Sequence, residues 1–259
     1  MVSYMQMMWA DRELVYFEET GSTNEEARKL AIAGCHHGTL VVADSQTGGK
    51  GRRGRNWHTP KGSSIAMSLI LKPKLEAEYA SMLTLVQAMA VTEAIEEICG
   101  LKAQIKWPND ILVNEKKVCG ILTEMNLDGT QISSIIIGTG INVNQDSFPE
   151  EIAEIATSLK RESGKIQSRE KLVKRICELF DSYFERFLES KDLSVILDEY
   201  NAHLVSVGRT VKVLDPQGEF TGKALGINSR GELLVKKESG EVVNVYAGEV
   251  SVRGIYGYV

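Results

Sequence analysis

The sequence lacks three features that mark broad classes of protein: paired cysteines, long apolar runs and an excess of positive charge. Its four cysteines are scattered through 259 residues without a C-x-x-C pair, which indicates reduced thiols rather than a disulfide framework or a zinc site. No stretch approaches the roughly 18–20 apolar residues that span a bilayer, and the first residues show no signal-peptide pattern. The net charge of −5 argues against a surface built to coat nucleic acid or an anionic membrane. We therefore expect a soluble cytoplasmic protein with no membrane partner.

What the sequence does contain is the composition of an ordinary globular protein, with 43% hydrophobic and 25% charged residues. Apolar residues at helical spacing predict one helix over Ser81–Ile98 and a long amphipathic helix from Ser168. A further helix is expected from Thr23, which forms a capping-box pattern with Glu26. Asp128-Gly129 between two apolar runs predicts a β-hairpin.

The pattern changes after about Val205. Before this point predicted strands and helices are mixed, whereas after it short strands alternate with turns, as is typical of a small closed barrel. The predicted strands of this second part are Thr210–Leu214, Phe220–Gly226, Glu232–Lys236 and Val242–Tyr246. The sequence thus predicts an α+β protein, with a mixed sheet and helices over residues 1–205 and a β-barrel over residues 206–259.

A basic glycine loop from Gly48 to Arg55 is the most distinctive string, with four glycines and four positive charges in eight residues. Glycines let backbone N–H groups turn toward an anion, and guanidinium groups match phosphate or carboxylate with two hydrogen bonds. It is not a Walker A loop, because no Ser or Thr follows Lys50. A flexible solvated loop or a nucleic-acid patch is the alternative. The acidic chain and the nearby Trp57 favour a site for a small anion.

Three further strings are weaker when taken singly. Lys106–Asp110 places Pro108 in a turn between two apolar runs, which also fits an ordinary turn. Lys117–Glu124 starts an apolar strand with a lysine, which also fits an edge residue that protects a sheet. Gly138–Asn144 is a glycine-rich strand end, for which a plain turn is the simpler interpretation.

Together with Ser22-Thr23-Asn24 at the head of the first helix, these strings resemble the motifs of the biotin–protein ligases. The family's five motifs stand here in the family's order: Ser22-Thr23-Asn24, Gly49–Gly54, Lys106–Asp110, Lys117–Leu122 and Gly138–Asn142. The likeness extends from about Val15 to Arg253. It implies a catalytic domain like the mixed sheet and helices of class II aminoacyl-tRNA synthetases, followed by an SH3-like barrel.

The resemblance also implies a two-step reaction. Biotin and ATP give biotinyl-5'-AMP and pyrophosphate, with Mg²⁺ carrying part of the phosphate charge through unknown protein ligands. A lysine of a biotin carboxyl carrier protein domain then takes the biotinyl group as an amide. The family further implies a homodimer.

By their places in the motifs, three sets of residues acquire roles from the resemblance. The catalytic residues would be Lys117, Arg52 and Lys106. The biotin-binding residues would be Ser22, Thr23, Asn24, Gln46, Lys50, Gly51, Arg52, Lys117 and Gly120. The ATP-binding residues would be Gly49, Lys50, Arg52, Arg55, Trp57, Lys106, Asn109, Asn142 and Arg253.

One position departs from the family's pattern, because Lys50 stands where the loop's first arginine is usual. A two-point guanidinium contact thereby becomes a point charge, which predicts weaker retention of the adenylate. The glycines of the same loop also allow a disorder-to-order step on ligand binding.

Two other functions remain as alternatives. Lipoate–protein ligases and octanoyl transferases are similar in fold and share the lysine-led strand, but they lack the Gly-Arg-Gly-Arg loop. The transferases also need a cysteine nucleophile, a role that Cys119 suits poorly without a nearby histidine. Some biotin ligases repress transcription through an N-terminal helix-turn-helix domain, but only about 14 residues precede the first predicted strand here. We therefore expect no DNA partner.

Overall fold

The computed structural model describes residues 4–9, 12–215, 218–247 and 251–254, and these residues form two β-sheets and five α-helices. The strands of the larger sheet are β1 (Tyr4–Trp9), β2 (Arg12–Thr20), β3 (Leu40–Gln46), β4 (Ser64–Leu71), β5 (Ala103–Lys106), β6 (Asp110–Val113), β7 (Lys116–Asp128) and β8 (Gln131–Asn142). The helices are α1 (Thr23–Ile32), α2 (Met82–Cys99), α3 (Leu159–Ser163), α4 (Arg169–Ser190) and α5 (Leu197–His203). The larger sheet has eight strands in the order β1-β2-β3-β4-β8-β7-β6-β5.

The pairing of β2 with β3 is parallel, and the other described pairings in this sheet are antiparallel. A parallel pair needs a crossover connection, and α1 provides it. Thr20 at the end of β2 is in register with Gln46 at the end of β3. The first turn of α1 therefore starts beside Gln46, which sets up one wall of the site described below.

Helices cover both faces of the larger sheet. On one face α1 packs Ala27 against Val15, Phe17 and Val41. On the other face α2 and α4 pack against residues such as Met67 in a larger core. Every position of β4 is buried, as expected for a central strand covered on both sides.

The strongest sequence predictions for this part are confirmed. The hairpin at Asp128-Gly129 joins β7 to β8, with Gly129 at a positive φ of 60°. The helix predicted over Ser81–Ile98 is α2, and Gly100 ends it in the left-handed conformation with φ 66°. The helix predicted from Ser168 is α4, whose N-cap Ser168 accepts a hydrogen bond from the Lys171 amide. The edge strand β1 was not predicted.

The C-terminal strands form a second, five-stranded antiparallel sheet. They are β9 (Thr210–Leu214), β10 (Phe220–Ile227), β11 (Leu233–Lys236), β12 (Val242–Val245) and β13 (Ser251–Gly254), in the order β12-β11-β10-β9-β13. The expectation of a closed barrel is wrong for the described residues, because the edge strands β12 and β13 do not pair. Each of them is only four residues long, so closure would add few ladder hydrogen bonds. Buried residues of this sheet, such as Val213 and Leu233, join the same core as α2 and α4.

Among the described helices, none is long and apolar enough to cross a membrane.

Candidate active site

A cleft of about 470 Å³, open to solvent, lies where the first turn of α1, the ends of β3 and β8, the start of β7 and the basic glycine loop converge. The residues that line it are Ser22, Thr23, Asn24, Gln46, Lys50, Gly51, Arg52, Trp57, Ala66, Asn109, Lys117, Gly120, Ile121, Leu122, Gly138, Thr139 and Gly140. Segments far apart in the sequence thus meet around one concave surface, as is usual for a ligand site.

The basic glycine loop has a defined, hydrogen-bonded conformation. The Trp57 amide donates to the Gly49 carbonyl at 2.9 Å, and the Gly51 amide donates to the Arg55 carbonyl at 2.7 Å. A side chain at position 49 would put its Cβ 2.5 Å from the Trp57 carbonyl oxygen. Only glycine allows this approach of two backbone segments, which explains one of the loop's glycines.

The cations of this loop are held by specific partners. Arg52 donates from Nη1 to Asn109 Oδ1 at 2.8 Å and from Nη2 to the Ala247 carbonyl at 2.9 Å. Burial lowers the pKa of Arg52, although an arginine stays charged. Lys50 pairs with Glu25 in the first turn of α1. The loop is therefore tied to α1, to the β5–β6 turn and to the second sheet.

A second cationic group surrounds Asp110. Lys117 Nζ lies 2.6 Å from Asp110 Oδ1, and β6 pairs with β7 so that Asp110 is in register with Gly120. The pKa of Lys106 is lowered to about 8, chiefly by burial and also by the charges of Lys117, Arg253 and Arg55, while Asp110 opposes this shift. These cations act on one another electrostatically, so this end of the cleft favours a ligand with several negative charges.

Glycines form the floor of the cleft, and the indole of Trp57 lies on it. A Cβ at Gly140 would be 2.3 Å from Trp57 Nε1, and a Cβ at Gly120 would be 3.1 Å from Trp57 Cζ3. Trp57 Nε1 is buried without a hydrogen-bond partner. Lys117 Nζ lies 5.5 Å from the centre of the indole, within the range of a cation–π contact. The floor is flat because its glycines have no side chains.

The opposite end of the cleft is polar but uncharged. Gln46 Oε1 accepts from the Thr23 backbone amide at 2.8 Å and lies 3.1 Å from Thr23 Oγ1. The capping box predicted for Thr23 and Glu26 is therefore wrong, since α1 begins after Ser22 and has no side-chain cap of its own. The side chain of Gln46 takes the place of the cap.

Most of the site residues expected from the motifs come together at the cleft, but five do not line it. These are Gly49, Arg55, Lys106, Asn142 and Arg253. Asn142 is buried behind the cleft, where its amide donates to the Thr157 carbonyl at 3.1 Å and its carbonyl accepts from Gln145. Lys106, Arg55 and Arg253 belong instead to the charged group around Asp110.

Several residues of the site carried no role in the sequence prediction. Asp110 stood in the Lys106–Asp110 string, and its position beside two lysine-bearing strands was the available signal. Ala66, Ile121, Leu122 and Thr139 line the cleft, but apolar and hydroxyl residues in strands give no such signal.

The described residues contain no group of three or more His, Cys, Asp or Glu side chains that could hold a metal ion. Asp110 is a carboxylate beside the cleft, and it is engaged by Lys117. These residues do not fit a protein-built magnesium site. Mg²⁺ in nucleotide enzymes is commonly held by one or two carboxylates together with the phosphates.

Comparison with known families gives two separate matches. Residues 16–142 match the Biotin/lipoate A/B protein ligase family, and residues 207–253 match the Biotin protein ligase C terminal domain. The first match contains the five motifs, and the second contains the described strands of the smaller sheet up to Arg253.

Individual relatives agree with these matches. The chain is 38% identical to the bifunctional ligase/repressor BirA of Bacillus subtilis over 93% of its own length and 74% of that protein. It is 32% identical to the biotin–[acetyl-CoA-carboxylase] ligase of Paracoccus denitrificans over 91% of its length and 98% of that protein. Among solved structures it resembles the Aquifex aeolicus biotin protein ligase in complex with biotin and ATP, with a TM-score of 0.81, 34% identity, and coverage of 93% and 98% of the two chains. It also resembles the Leishmania major enzyme in complex with biotinyl-5-AMP, with a TM-score of 0.59, 27% identity, and coverage of 90% and 98%.

Proposed function

This chain belongs to the biotin protein ligase family, and from that premise we propose how its cleft carries out the reaction. The chain is an ATP-dependent ligase that forms biotinyl-5'-AMP from biotin and ATP. It then transfers the biotinyl group to a lysine of a biotin carboxyl carrier protein domain. The cleft has an uncharged polar end and a cationic end. This division supports the function, because the ureido ring of biotin is neutral whereas the phosphates of ATP are anionic.

Biotin takes the polar end of the cleft in this proposal. Its ureido ring faces Ser22, Thr23, Asn24 and Gln46, which offer hydroxyl and amide groups without charge. The valeryl chain runs over Gly120 on the glycine floor toward the cations. A neutral ring is thus matched by neutral hydrogen-bonding groups, which avoids burying an unpaired charge.

The junction between biotin and ATP lies at Lys117 and the glycine loop. An oxygen of biotin's carboxylate attacks the α-phosphorus, and the bond from that phosphorus to the bridging oxygen breaks as pyrophosphate leaves. Both reacting groups are anionic, and Lys117, Arg52 and Lys50 reduce their repulsion. Gly51 lines this junction without a side chain, and its own amide stays bonded to the Arg55 carbonyl. Arg52 is held ready by two hydrogen bonds, which supports its catalytic assignment.

The nucleotide extends from this junction to the charged group around Asp110. Lys106 binds the departing pyrophosphate together with Arg55 and Arg253. Because negative charge develops on this pyrophosphate during the reaction, Lys106 is also a catalytic residue. Asn109, Gly49 and Trp57 hold the rest of the nucleotide. Asn142 supports the structure behind the cleft and does not contact the nucleotide, because its amide is bonded to the Thr157 carbonyl.

In the second step the carrier lysine attacks the acyl carbon of biotinyl-5'-AMP. The new amide bond forms while the bond between the acyl carbon and the phosphate oxygen breaks, and AMP departs. The same cations that assembled the adenylate stabilise AMP as it leaves. Any Mg²⁺ enters with the phosphates of ATP, and no step above depends on it.

We also propose that the protein acts as a homodimer in the cytoplasm without a DNA partner, and that it has the two domains expected from the sequence. The net charge of −5 and four unpaired cysteines support the absence of DNA binding and the reducing compartment. The mixed sheet with helices on both faces supports a likeness to the class II synthetase core. Sedimentation of the purified protein with and without biotin and ATP tests the dimer.

Mass spectrometry of a carrier domain tests the proposed function directly. After incubation with this protein, biotin and ATP, we expect one added biotinyl group on one lysine. Lipoate in place of biotin should give no modification and no pyrophosphate. Modification by lipoate alone would contradict the proposal and favour a lipoate ligase.

A further inference from the structure

A chain of hydrogen bonds runs behind the polar end of the cleft, through residues that no motif assigns. Asn24 Nδ2 donates to Glu124 Oε2 at 2.7 Å, and Asn24 Oδ1 accepts from Ser68 Oγ at 2.6 Å. Ser68 Oγ also lies 2.8 Å from Thr23 Oγ1. Ser68 on β4 is fully buried, and neither it nor Glu124 lines the cleft. These two residues therefore contact biotin's pocket only through Asn24 and Thr23.

The carboxylate end of this chain fixes the direction of every hydrogen bond in it. Arg28 donates to the other oxygen of Glu124 at 2.9 Å, which holds the carboxylate as an acceptor. Asn24 must then present its NH₂ group to Glu124 and its carbonyl to Ser68. Ser68 has a single hydroxyl hydrogen, and the Asn24 carbonyl takes it. Ser68 Oγ can therefore only accept from Thr23.

The hydrogen bonds of Gln46, on the other side of Thr23, indicate the same direction for the Thr23 hydroxyl. Gln46 Nε2 donates to Thr59 Oγ1 at 3.0 Å, which orients the amide so that its Oε1 faces Thr23. That oxygen already accepts from the Thr23 backbone amide at 2.8 Å, and it is farther from Thr23 Oγ1 than Ser68 is. The hydroxyl hydrogen of Thr23 thus points away from the cleft to Ser68. The lone pairs of Thr23 Oγ1 remain for a ligand.

We propose that Ser68 and Glu124 are positioning residues that make Thr23 Oγ1 a hydrogen-bond acceptor and so select ligands with a ring N–H donor. The inference rests on the proposed function, which places biotin's ureido ring at this end of the cleft. A cyclic urea supplies the N–H, whereas the dithiolane ring of lipoate does not. A site built to pair with an N–H group rejects a ligand without one, because its own polar atoms then stay unpaired.

Two variants and one control test this role. Ser68→Ala removes the hydrogen-bond acceptor for Thr23, and Glu124→Gln lets the Asn24 amide reverse because glutamine both donates and accepts. Ser134→Ala is the matched control, since Ser134 is 2% exposed, lies in the same sheet and is hydrogen-bonded to Asn126 instead. The ligands are biotin and biotin methylated on a ureido nitrogen, one derivative for each nitrogen.

Calorimetric titration then measures the preference of each variant for biotin over the methylated derivatives. We expect Ser68→Ala to weaken biotin binding about tenfold, the effect of about one hydrogen bond, while binding of the derivative that cannot donate to Thr23 changes little. The preference thus falls about tenfold, ATP binding is unchanged, and Ser134→Ala keeps the preference of the unaltered protein. Glu124→Gln should shift the preference in the same direction by several-fold.

A loss of biotin and derivative binding in equal proportion, or an unchanged preference in both variants, would overturn the proposal. If Ser68→Ala does not fold, Glu124→Gln and Ser68→Cys provide the same comparison. Failure of the unaltered protein to bind biotin would contradict the proposed function itself, so the two failures are distinguishable.

Discussion

Each cation of the cleft is paired before a ligand arrives, and this arrangement shapes what single residues do. Lys50 pairs with Glu25, Lys117 with Asp110, and Arg52 with an amide and a carbonyl oxygen. Each of these partners carries no charge or a single negative charge, so the cations still attract phosphate and carboxylate. The same partners hold the cationic side chains in place. Preorganised charges of this kind stabilise a transition state without reorganising during the reaction.

The first prediction at this scale concerns the two cations at the junction of the substrates. Arg52→Ala or Lys117→Ala should slow formation of biotinyl-5'-AMP by roughly a hundredfold to a thousandfold, because each removes charge where the reacting anions meet. Single-turnover measurement of pyrophosphate release provides the rate. Lys165→Ala, an exposed lysine away from the cleft lining, is the control. Near-normal rates in either cleft variant would remove that residue from the mechanism.

The second prediction follows from Lys106. Its pKa is lowered to about 8, so the side chain is charged below that pH and loses its charge as the pH rises through it. ATP affinity should therefore fall as the pH rises from about 7 to about 9, by up to about tenfold for each unit above the pKa. Lys106→Arg stays charged and should flatten this dependence. A pH profile of ATP affinity that is the same in both proteins would contradict the assignment.

The third prediction uses the position at which the loop departs from its family. Lys50→Arg restores a two-point contact and should slow dissociation of the adenylate by several-fold. The release of labelled biotinyl-5'-AMP from the preformed complex measures the rate. Glu25→Gln with Lys50 retained shows how much of any change comes from the pair between them. An unchanged rate of adenylate dissociation in Lys50→Arg would contradict this prediction.

Residues of the site could be predicted from the sequence where their chemistry is unusual for a core. A loop of glycines and arginines, or a lysine at the start of an apolar strand, stands out in any chain. Ser68 and Glu124 do not, because a serine or a glutamate within a strand is common. Their importance comes from partners 44 and 100 positions away in the chain.

At the scale of elements, the start of α1 shows how the site overrides a local rule. Thr23 and Glu26 have the spacing of a capping box, yet Gln46 from β3 accepts the backbone hydrogen bond. Local sequence predicts helices such as α2 and α4 well because their stripes and ends are encoded nearby. It cannot show that a neighbouring strand replaces the cap, and a local rule broken in this way is typical of functional sites.

A glycine in β8 provides the prediction for this scale. A Cβ at Gly138 would be 2.1 Å from Asn24 Oδ1, so Gly138→Ala must displace the Asn24 side chain from its hydrogen bonds to Glu124 and Ser68. We expect biotin affinity to fall by at least about tenfold while α2 and the second sheet remain folded. Gly21→Ala is the control, because its Cβ would meet only Glu25 Oε2 at 3.9 Å. Titration with biotin, alongside thermal melting, measures both; equal affinity in the two variants would contradict the packing argument.

At the scale of the whole molecule, the second sheet shares the core and reaches the site. The Ala247 carbonyl, just after β12, accepts from Arg52, and Arg253 on β13 lies close enough to lower the pKa of Lys106. The sequence predicted a second part of short strands and nearly all of their positions. The closed barrel did not follow, because pairing of edge strands depends on tertiary curvature rather than on any one strand. The boundary at residues 205 and 206 stays a prediction.

Arg253 gives the prediction for this scale. Arg253→Ala should raise the KM for ATP by several-fold and leave the KM for biotin unchanged, because the side chain acts only on the nucleotide's phosphates. Lys223→Ala, on an exposed position of β10 in the same sheet, is the control. Steady-state kinetics of carrier biotinylation measure both constants. A rise in the KM for biotin as well would indicate a general disturbance of the cleft.

The indole of Trp57 on its glycine floor has a thermodynamic consequence. A ligand that lies on Gly120 and Gly140 must first move the indole, so one apolar surface replaces another on the same floor. Binding then removes less new apolar surface from water than the area of the ligand alone would indicate. Since the heat-capacity change of binding follows the apolar surface newly buried, biotin should bind here with a smaller negative heat-capacity change than its size suggests.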